Sequence, residues 1–568
     1  MKKRLILLFL SVILILPAFS CGNDSSQTSN DIDTTPEPEQ NNNIITEAET
    51  QEVTEKEKEK EKEKEKEKEP EKFVFTYDFS GKTTKLPTPT PEKLPSSWKG
   101  FNLLNMFYYG SNDSAFVEKE FQMLSEWGFT FVRIPMDYRI WTRSKGWDYM
   151  EELIMKRIDK AIEYGIKYDI HVCLNFHRAP GFTVASPAEE TDLWSQPEPQ
   201  EAFAKMWAEF ARRYKNVPNE YLSFNFVNEP PDISEKVYAA VIEKAAKAIW
   251  EQDPKRLLIA DGLAWGQKPS KLIKELGIAQ ATRGYQPFNL THYKAEWAQG
   301  SENFPLPSWP TVIIPKFLYN PSKSDVPWSL YSIEHDFGEN YYLDVNVGIV
   351  SNEAKFLVKA DGVEIYKKNF KSGKGEGEWT VEVYREEWNV YQNIFNKDYR
   401  IEIPAGTKLL TLEITGGDWM TVNDMKFSSV SGNGKVFSLT PSTEDWGVEI
   451  PPVKIDANGV ISLENSGVHD REWLRETNLK QWEEYMRDGG GAMVGEWGSY
   501  NKTPHDVVMR WMEDNLENFK AAGMGWALWN FTGSFGILDN GRKDAVQEDY
   551  NGYKLDREML DLLLRYVD

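Results

Sequence analysis

A regular alternation of strand-like and helix-like segments, which begins at Trp98, constrains the fold of this chain more than any other feature. The helix-like segments are amphipathic; in the clearest one, at 149–168, an apolar set recurs at the spacing of one helix face: Leu153, Ile154, Ile158, Ile162 and Ile166. Eight strand–helix pairs predict parallel strands covered by helices, and eight strands close an α/β barrel. We therefore predict the α/β class and a (β/α)8 TIM barrel. The predicted strands are 99–107, 129–136, 171–176, 221–227, 256–260, 287–291, 492–495 and 524–529.

The alternation is interrupted between the sixth predicted strand and its helix. From 311 to 464 the chain has short alternating strands and turn signals, including an Asp-Gly pair at 361–362 that is typical of a β-hairpin. We predict an all-β, sandwich-like domain inserted after strand 6. The barrel then has two parts, 98–310 and 465–568, and a pre-barrel segment at 73–97 precedes them. Two domains in series is the weaker alternative, because six strands do not close a barrel.

The N-terminus has the pattern of a signal peptide. Basic residues at 2–4 precede an apolar run, Leu5–Phe19, that is too short to span a bilayer, so we predict a signal peptide over 1–20. Small residues just before Cys21 resemble a bacterial lipoprotein leader, although Ala18 stands where that pattern favours leucine. This resemblance implies a lipid on Cys21, attachment to a bacterial membrane and an extracellular, cell-surface lipoprotein. Plain secretion is the alternative, because Ala-x-Ser also suits the ordinary signal peptidase.

The segment 21–72 has no apolar periodicity and contains a strict Glu-Lys alternation at 55–69. Alternating charges of this kind predict a solvated, disordered linker. We expect it to hold the folded part clear of the cell surface.

The overall charge excludes some classes of function. The formal net charge is −23, which disfavours a nucleic-acid partner because the phosphate backbone requires a basic face. With only two cysteines, the chain lacks a disulfide scaffold and a cysteine-built zinc site, and six histidines leave little for a metal cluster. We therefore expect no cofactor and no metal, and we expect a monomer.

Two glutamates stand where predicted barrel strands end. Glu229 follows the fourth strand and Glu496 the seventh, each after an apolar run in which a carboxylate has no use in packing. Catalytic groups of such barrels lie at the carboxyl ends of the strands. A pair of carboxylates across one pocket suits the cleavage of a glycosidic bond: one protonates the leaving oxygen, and the other attacks the anomeric carbon or activates water. Taken singly, either glutamate is as readily explained as a surface residue.

Further polar and aromatic residues follow the other strands and are suited to bind hydroxyl groups and to stack on a sugar ring. Only two histidines fall on this rim, on different strands, and no His-Glu-x-x-His motif occurs, which disfavours a metal hydrolase. The candidates for substrate binding are Arg133, His177, Asn228, His292, Tyr293 and Trp529.

Three motifs resemble glycoside hydrolase family 5, the cellulase family: Asn228-Glu229-Pro230, Val494-Gly495-Glu496-Trp497-Gly498 and the segment 525–530. The resemblance covers both parts of the barrel but neither the insert nor the N-terminal tail. One departure concerns the sixth strand, which usually ends His-x-Tyr in this family, whereas His292 and Tyr293 are adjacent here.

The resemblance implies a role for each candidate residue. It implies a retaining mechanism in which Glu229 is the general acid/base and Glu496 the nucleophile. Arg133 would lie near the nucleophile, and Asn228 would bind the 2-hydroxyl of the sugar. His177, His292 and Tyr293 would form a polar wall, and Trp529 the platform under the sugar that is cleaved.

The resemblance also implies a β-glucan polysaccharide or oligosaccharide as the substrate, and we favour an endo-β-1,4-glucanase. An exo-acting enzyme or a β-1,3-glucanase is the alternative, and a non-catalytic surface glycan-capture lipoprotein is an alternative of another class. We expect the insert to lean over the cleft; a structural cap is the other interpretation. Loop tryptophans would stack on sugars in further subsites or pack the loops: Trp141, Trp194, Trp265, Trp297 and Trp309.

Overall fold

The computed structural model describes residues 72–319, 329–432, 434–442, 447, 449–457, 459, 461–463 and 468–567. The predicted signal peptide, Cys21 and the predicted linker up to residue 71 lie outside the described residues. Within the part described, no helix is long and apolar enough to cross a membrane.

Eight parallel strands form a closed barrel. Each strand pairs with the next along the chain, and the eighth pairs with the first, so no edge is left open. The predicted (β/α)8 fold is confirmed. The strands are β1 (Lys99–Asn102), β2 (Phe131–Asp137), β3 (His171–Ala179), β4 (Leu222–Val227), β5 (Leu258–Asp261), β6 (Ala279–Gly284), β7 (Ala492–Trp497) and β8 (Trp526–Leu528).

The sixth strand does not lie where the sequence predicts it. The predicted strand at 287–291 is instead a short helix, Phe288–Thr291, and the strand is β6. The sequence of β6, Ala-Gln-Ala-Thr-Arg-Gly, is not hydrophobic, yet all of it is buried. Its polar side chains find partners inside the protein; for example, the amide of Gln280 donates to the hydroxyl of Tyr485 at 2.8 Å. Apolar periodicity therefore does not mark this strand.

Helices cover the barrel because each has one apolar face. In α2 the buried residues Ile154, Ile158, Ile162 and Ile166 lie along one stripe, as the isoleucine spacing predicts, whereas Leu153 is exposed. The covering helices are α1 (Glu118–Glu126), α2 (Glu152–Lys167), α3 (Pro197–Tyr214), α4 (Glu235–Gln252), α5 (Lys271–Glu275), α6 (Lys480–Arg487), α7 (His505–Ala522) and α8 (Arg557–Leu564).

Apolar side chains close the end of the barrel where the strands begin. Leu94 of the pre-barrel segment packs there with Trp98, Phe131 and Met493 in one buried cluster. The backbone of the same segment accepts a hydrogen bond from the amide of Gly491 at Pro91, 2.9 Å long. The polar side chains of the barrel are therefore concentrated towards the opposite end, where the strands finish.

A β-rich insert lies between β6 and β7, as predicted. Its two longest strands, Tyr341–Ala360 and Leu409–Ser429, pair with each other along most of their length. The first half of Tyr341–Ala360 also pairs with Val390–Ile403 and the second half with Val363–Lys371, so the sheet folds over a core of its own. The other insert strands are Phe317–Tyr319, Leu330–Glu334, Tyr384–Arg385, Phe437–Leu439, Val453–Ile455 and Ile461–Leu463.

The chain enters and leaves the insert at one place. Thr311–Val312 pairs with Val468–His469 in a two-stranded antiparallel ribbon, so the two crossings between barrel and insert lie side by side. Beside the ribbon, the indole of Trp309 donates to Asp514 of α7 at 2.9 Å, and Arg510 of the same helix donates to the carbonyl of Trp309 at 2.8 Å. These contacts tie the base of the insert to the barrel.

Candidate active site

The nucleophile candidate, Glu496, is buried at the end of β7, and three donor side chains contact its carboxylate. Arg133 donates to Oε1 at 2.5 Å, Arg283 lies 3.3 Å from the same oxygen, and the hydroxyl of Tyr285 donates to Oε2 at 3.2 Å. The register between β6 and β7 shifts between Val494 and Glu496, an irregularity of the kind that re-aims a side chain next to active sites. Charge-assisted hydrogen bonds of this kind are short and strong, so they fix the position of the carboxyl group.

The acid/base candidate, Glu229, lies two residues beyond β4 and contacts the same guanidinium group. Arg283 Nε donates to Glu229 Oε1 at 3.0 Å. Burial, followed by the negative charge of Glu496, raises the pKa of Glu229 to about 7. Glu229 is thus suited to carry a proton near neutral pH.

The backbone of Glu229 is strained and is held by a neighbouring strand. Its φ of 48° lies in the left-handed region, which costs a non-glycine residue roughly 1–2 kcal/mol. Asp261, the last residue of β5, accepts a hydrogen bond from the amide of Glu229 at 2.9 Å. The following turn is closed by the amide of Trp265, which donates to the carbonyl of Pro230 at 2.8 Å. Strain of this kind persists only where the surrounding structure enforces it.

Asn228 has a fixed orientation. Its side-chain oxygen accepts hydrogen bonds from Arg133 and Arg283, both at 2.9 Å. Because guanidinium groups only donate, the oxygen must face them and the amide nitrogen must face away. That nitrogen is buried and has no partner among the described residues, so it can donate to a bound hydroxyl group.

Arg133 is held in place by two buried asparagines. Its Nε donates to Asn225 at 2.8 Å, and Nη1 donates to Asn102 at 3.1 Å as well as to Glu496. The side chain is 1% exposed. A guanidinium group with its donors satisfied in a fixed fork positions a carboxylate more firmly than the flexible ammonium of a lysine would.

An aromatic wall lies beside these groups. Trp529 follows β8 and is partly exposed; its ring lies 5.5 Å from that of His177 and 5.2 Å from that of Phe107, between centroids. Burial and the charge of Arg133 hold the pKa of His177 well below its usual value, so this imidazole is neutral. Its Nδ1 is buried without a partner in the described part of the chain, as expected for a group that meets a ligand.

The structure brings together six of the eight predicted barrel-site residues but places His292 and Tyr293 differently. Both lie just past the short helix that stands where strand 6 was predicted. His292 packs behind the site, with its ring 5.4 Å from that of Tyr285. Tyr293 is buried under Lys294 and makes no hydrogen bond to either glutamate within the described residues. Other residues therefore occupy the end of strand 6.

Those residues are Arg283 and Tyr285, which the sequence analysis missed. Arg283 is the next-to-last residue of β6, and Tyr285 directly follows this strand. A signal existed, because Arg283-Gly-Tyr285 has the spacing of the His-x-Tyr pattern with arginine in place of histidine. The lack of an apolar run before Arg283 concealed it.

The predicted loop tryptophans separate into two groups. Trp141 and Trp309 are buried and Trp194 is partly buried, so these three pack the loops. Trp265 and Trp297 are 47% and 60% exposed, and the amide of Trp265 donates to the carbonyl of Pro230, next to Glu229. Only the exposed pair is free to stack on a ligand.

Comparison with known proteins gives an independent result. Residues 89–287 match the family model described as Cellulase (glycosyl hydrolase family 5). Endoglucanase C of Acetivibrio thermocellus is 29% identical over 194 residues, 33% of this chain and 56% of that protein. Cellodextrinase A of Ruminococcus flavefaciens is 32% identical over 120 residues, 21% of this chain and 35% of that protein.

The match to solved structures extends further along the chain. A structure described as a glycoside hydrolase superposes with a TM-score of 0.53 at 27% identity, covering 82% of this chain and 98% of the other. The chain spans about half the length of the endoglucanase C that it matches. The predicted resemblance is confirmed for the first part of the barrel: residues 89–287 match the model of glycosyl hydrolase family 5.

Proposed function

We propose that this protein is a retaining glycoside hydrolase that cleaves β-glucan, with Glu229 as the general acid/base and Glu496 as the nucleophile. The observation that carries the proposal is that one guanidinium group, Arg283, contacts both carboxylates, only one of which is suited to hold a proton near neutral pH. The two carboxyl groups lie about 5 Å apart in retaining glycosidases and farther apart in inverting ones. Contact of both glutamates with one guanidinium group supports the shorter distance.

In the first step, an oxygen of ionised Glu496 attacks the anomeric carbon. The glycosidic carbon–oxygen bond breaks, and the leaving oxygen takes the proton of Glu229. The sugar is then an ester of Glu496. Asn228 Nδ2 would donate to the 2-hydroxyl of the sugar at the anomeric centre, a hydrogen bond that strengthens as positive charge develops on the ring.

In the second step, a water oxygen attacks the same carbon and the ester bond to Glu496 breaks. Glu229, now ionised, takes a proton from the water and is ready for the next cycle. The β configuration is retained because the carbon is inverted twice. Trp529 would stack on the sugar during both steps.

We further propose that the substrate is a β-1,4-glucan cut within the chain. Two of the relatives are named endoglucanase C and cellodextrinase A, which supports a β-1,4-glucan over a β-1,3-glucan. Trp265 and Trp297 are exposed and offer stacking surfaces for sugars beyond the cleaved bond. An exo-acting enzyme remains the alternative for the mode of attack. We also propose that Cys21 carries a lipid, that the protein lies at the cell surface and that it is a monomer.

The decisive experiment is product release from cellulose-type, mixed-linkage, β-1,3-glucan and mannan polymers. We expect rapid shortening of the polymers that contain β-1,4-linked glucose and its loss in Glu496→Gln. Glu364→Gln, which removes an exposed carboxylate from the insert, is the matched control and should retain full activity. Binding of polymer without release by the unaltered protein would favour the glycan-capture alternative.

Trapping separates retention from inversion. A 2-deoxy-2-fluoro cellobioside with a good leaving group slows the second step more than the first, so an ester accumulates. We expect the mass of the intact protein to rise by one 2-deoxy-2-fluorocellobiosyl group. Peptide mapping should place this group on Glu496. Hydrolysis without any trapped ester, and with inverted product, would overturn the retaining mechanism.

A further inference from the structure

Five charged groups lie together at the rim, four of them buried and Glu229 partly buried: Arg133, Asp261, Arg283, Glu229 and Glu496. Asp261 is fully buried, Arg133 is 1% exposed, and Arg283 and Glu496 are 3–5% exposed. Removing a charge from water is costly unless partners compensate for it, so the charges in such a cluster must balance. With all five ionised, three negative charges would face two positive ones.

The other titratable groups that face the cluster contribute no net charge. Burial raises the pKa of Cys173 to about 11, and burial with the charge of Glu496 raises the pKa of Tyr285 well above its usual value. The pKa of His177 is lowered by burial and by Arg133, so its ring is neutral. On β3, Arg178 is paired with its own carboxylate, Glu189, at 2.5 Å.

Arg283 is built into this cluster. Beyond its contacts with both glutamates and Asn228, its Nη2 donates to Asp261. Glycines make room for it: a β-carbon on Gly266 would lie 2.7 Å from Arg283 Cγ, and one on Gly495 would lie 3.0 Å from Nη1. A histidine at this position would have only two ring nitrogens and could not contact the same set of groups.

We propose that Arg283 and Asp261 are a positioning pair that keeps the net charge of the cluster at zero in both steps of the reaction. This inference rests on the proposed function. Before attack, the proton on Glu229 leaves two negative and two positive charges. After attack, Glu496 is a neutral ester and Glu229 is ionised, so the count is again two and two. Arg283 contacts both glutamates, and it therefore stabilises whichever one carries the charge.

The negative charge of Asp261 compensates the permanent positive charge that Arg283 places between the two glutamates. Without Asp261, two arginines would face one negative charge in each step, and the proton of Glu229 would be lost too readily. Without Arg283, two negative charges would face Arg133 alone, and Glu229 would give up its proton with difficulty. Each member of the pair thus offsets the effect of the other on Glu229.

A double-variant cycle tests this pairing. Asp261→Asn keeps an oxygen that can accept from the Glu229 amide but removes the charge, and Arg283→Gln removes the opposite charge. The readout is the dependence of kcat/KM on pH with a soluble β-1,4-glucan, whose alkaline limb reports loss of the proton from Glu229. A charge at this distance shifts such a limb by roughly one to three pH units.

We expect Asp261→Asn to move the alkaline limb to lower pH, Arg283→Gln to move it to higher pH, and the double variant to return it close to the original position. We also expect each single variant to lose about a hundredfold in kcat/KM and the double variant to lose less than either. A purely structural pair would also recover in the double variant, because losing one partner leaves the other charge uncompensated, but it would not move the alkaline limb in opposite directions. Unshifted limbs, or limbs moving the same way in both single variants, would overturn the proposal.

Two further measurements keep the test independent of other failures. Asp344→Asn with Arg400→Gln removes an aspartate–arginine pair of the insert, in which Arg400 is exposed and Asp344 partly buried, and should leave the pH profile unchanged. Thermal unfolding near pH 7 does not need activity: the single variants should lower Tm and the double variant should recover part of the loss. Failure of the unaltered protein to hydrolyse any glucan would count against the proposed function, whereas hydrolysis without recovery in the double variant would count against the pair.

Discussion

Replacing Asn228 by alanine separates the two functions that its geometry implies. The side-chain oxygen accepts hydrogen bonds from Arg133 and Arg283. The amide nitrogen has no partner among the described residues and can donate to a ligand. Alanine removes both at once. A substrate without the 2-hydroxyl removes only the second interaction, so the two effects can be measured apart.

The size of each effect follows from its surroundings. Loss of a hydrogen bond that strengthens in the transition state, worth about 2–3 kcal/mol, lowers kcat/KM roughly 30- to 150-fold. Loss of the buried oxygen leaves two guanidinium N–H groups unpaired, which lowers the free energy of unfolding by about 1–3 kcal/mol. The second cost applies whichever substrate is used.

The assay compares an aryl β-cellobioside with its analogue that lacks the 2-hydroxyl on the sugar bonded to the leaving group. We expect Asn228→Ala to lose the full factor on the first substrate and several-fold less on the second. Asn346→Ala, a partly exposed asparagine of the insert, is the control and should behave as the unaltered protein does on both. Equal losses on the two substrates would refute the assignment of Asn228 Nδ2 to the 2-hydroxyl.

Four other predictions follow from the same contacts. Because the pKa of Glu229 is raised from 4.5 to about 7, its proton stabilises the fold only at lower pH, and stability is lost as the pH rises between these values. Glu229→Gln should therefore be inactive but gain unfolding free energy over the unaltered protein above pH 7 and none below pH 4, as denaturant titrations would reveal. Tyr285→Phe removes a donor to charged Glu496 and should lower kcat/KM about tenfold or more at constant Tm; an unchanged rate would contradict the contact. Trp265→Ala and Trp297→Ala should reduce activity on polymer while sparing aryl cellobiosides, and equal losses on both substrates would argue against a stacking role. Asp556→Ala removes the N-cap of α8 and a partner of a buried histidine; denaturant unfolding should show a loss of about 1–2 kcal/mol, with activity retained.

The sequence predicts the parts of this molecule whose chemistry contrasts with their surroundings. Glu229 and Glu496 are conspicuous because a carboxylate ends an apolar run, and the hairpin turn at Asp361 is conspicuous because its residues suit the left-handed region that they occupy. Arg283 is not conspicuous, because it lies near the end of a strand whose polar residues are satisfied internally. Asp261 also ends an apolar run, but no short pattern links it to Arg283.

What the sequence does not encode locally is which charges meet. Arg283 and Glu496 are 213 residues apart, and the insert lies between them. Their contact depends on closure of the barrel, which no short pattern describes. The roles of the site residues and the lean of the insert over the cleft therefore stay predictions until they are measured.

The ribbon at the base of the insert has a consequence for how the barrel closes. Gln280 of β6 pairs with Ala492 of β7, so 212 residues of chain must be spanned before these strands meet. If the insert folds first, the ribbon already holds the two ends of the insert together. The loop that remains to be closed is then roughly a quarter as long, which lowers the entropic cost of closing it by about 1 kcal/mol. The insert would then act during folding as a clamp that brings the two parts of the barrel within reach, whatever it does for the substrate afterwards.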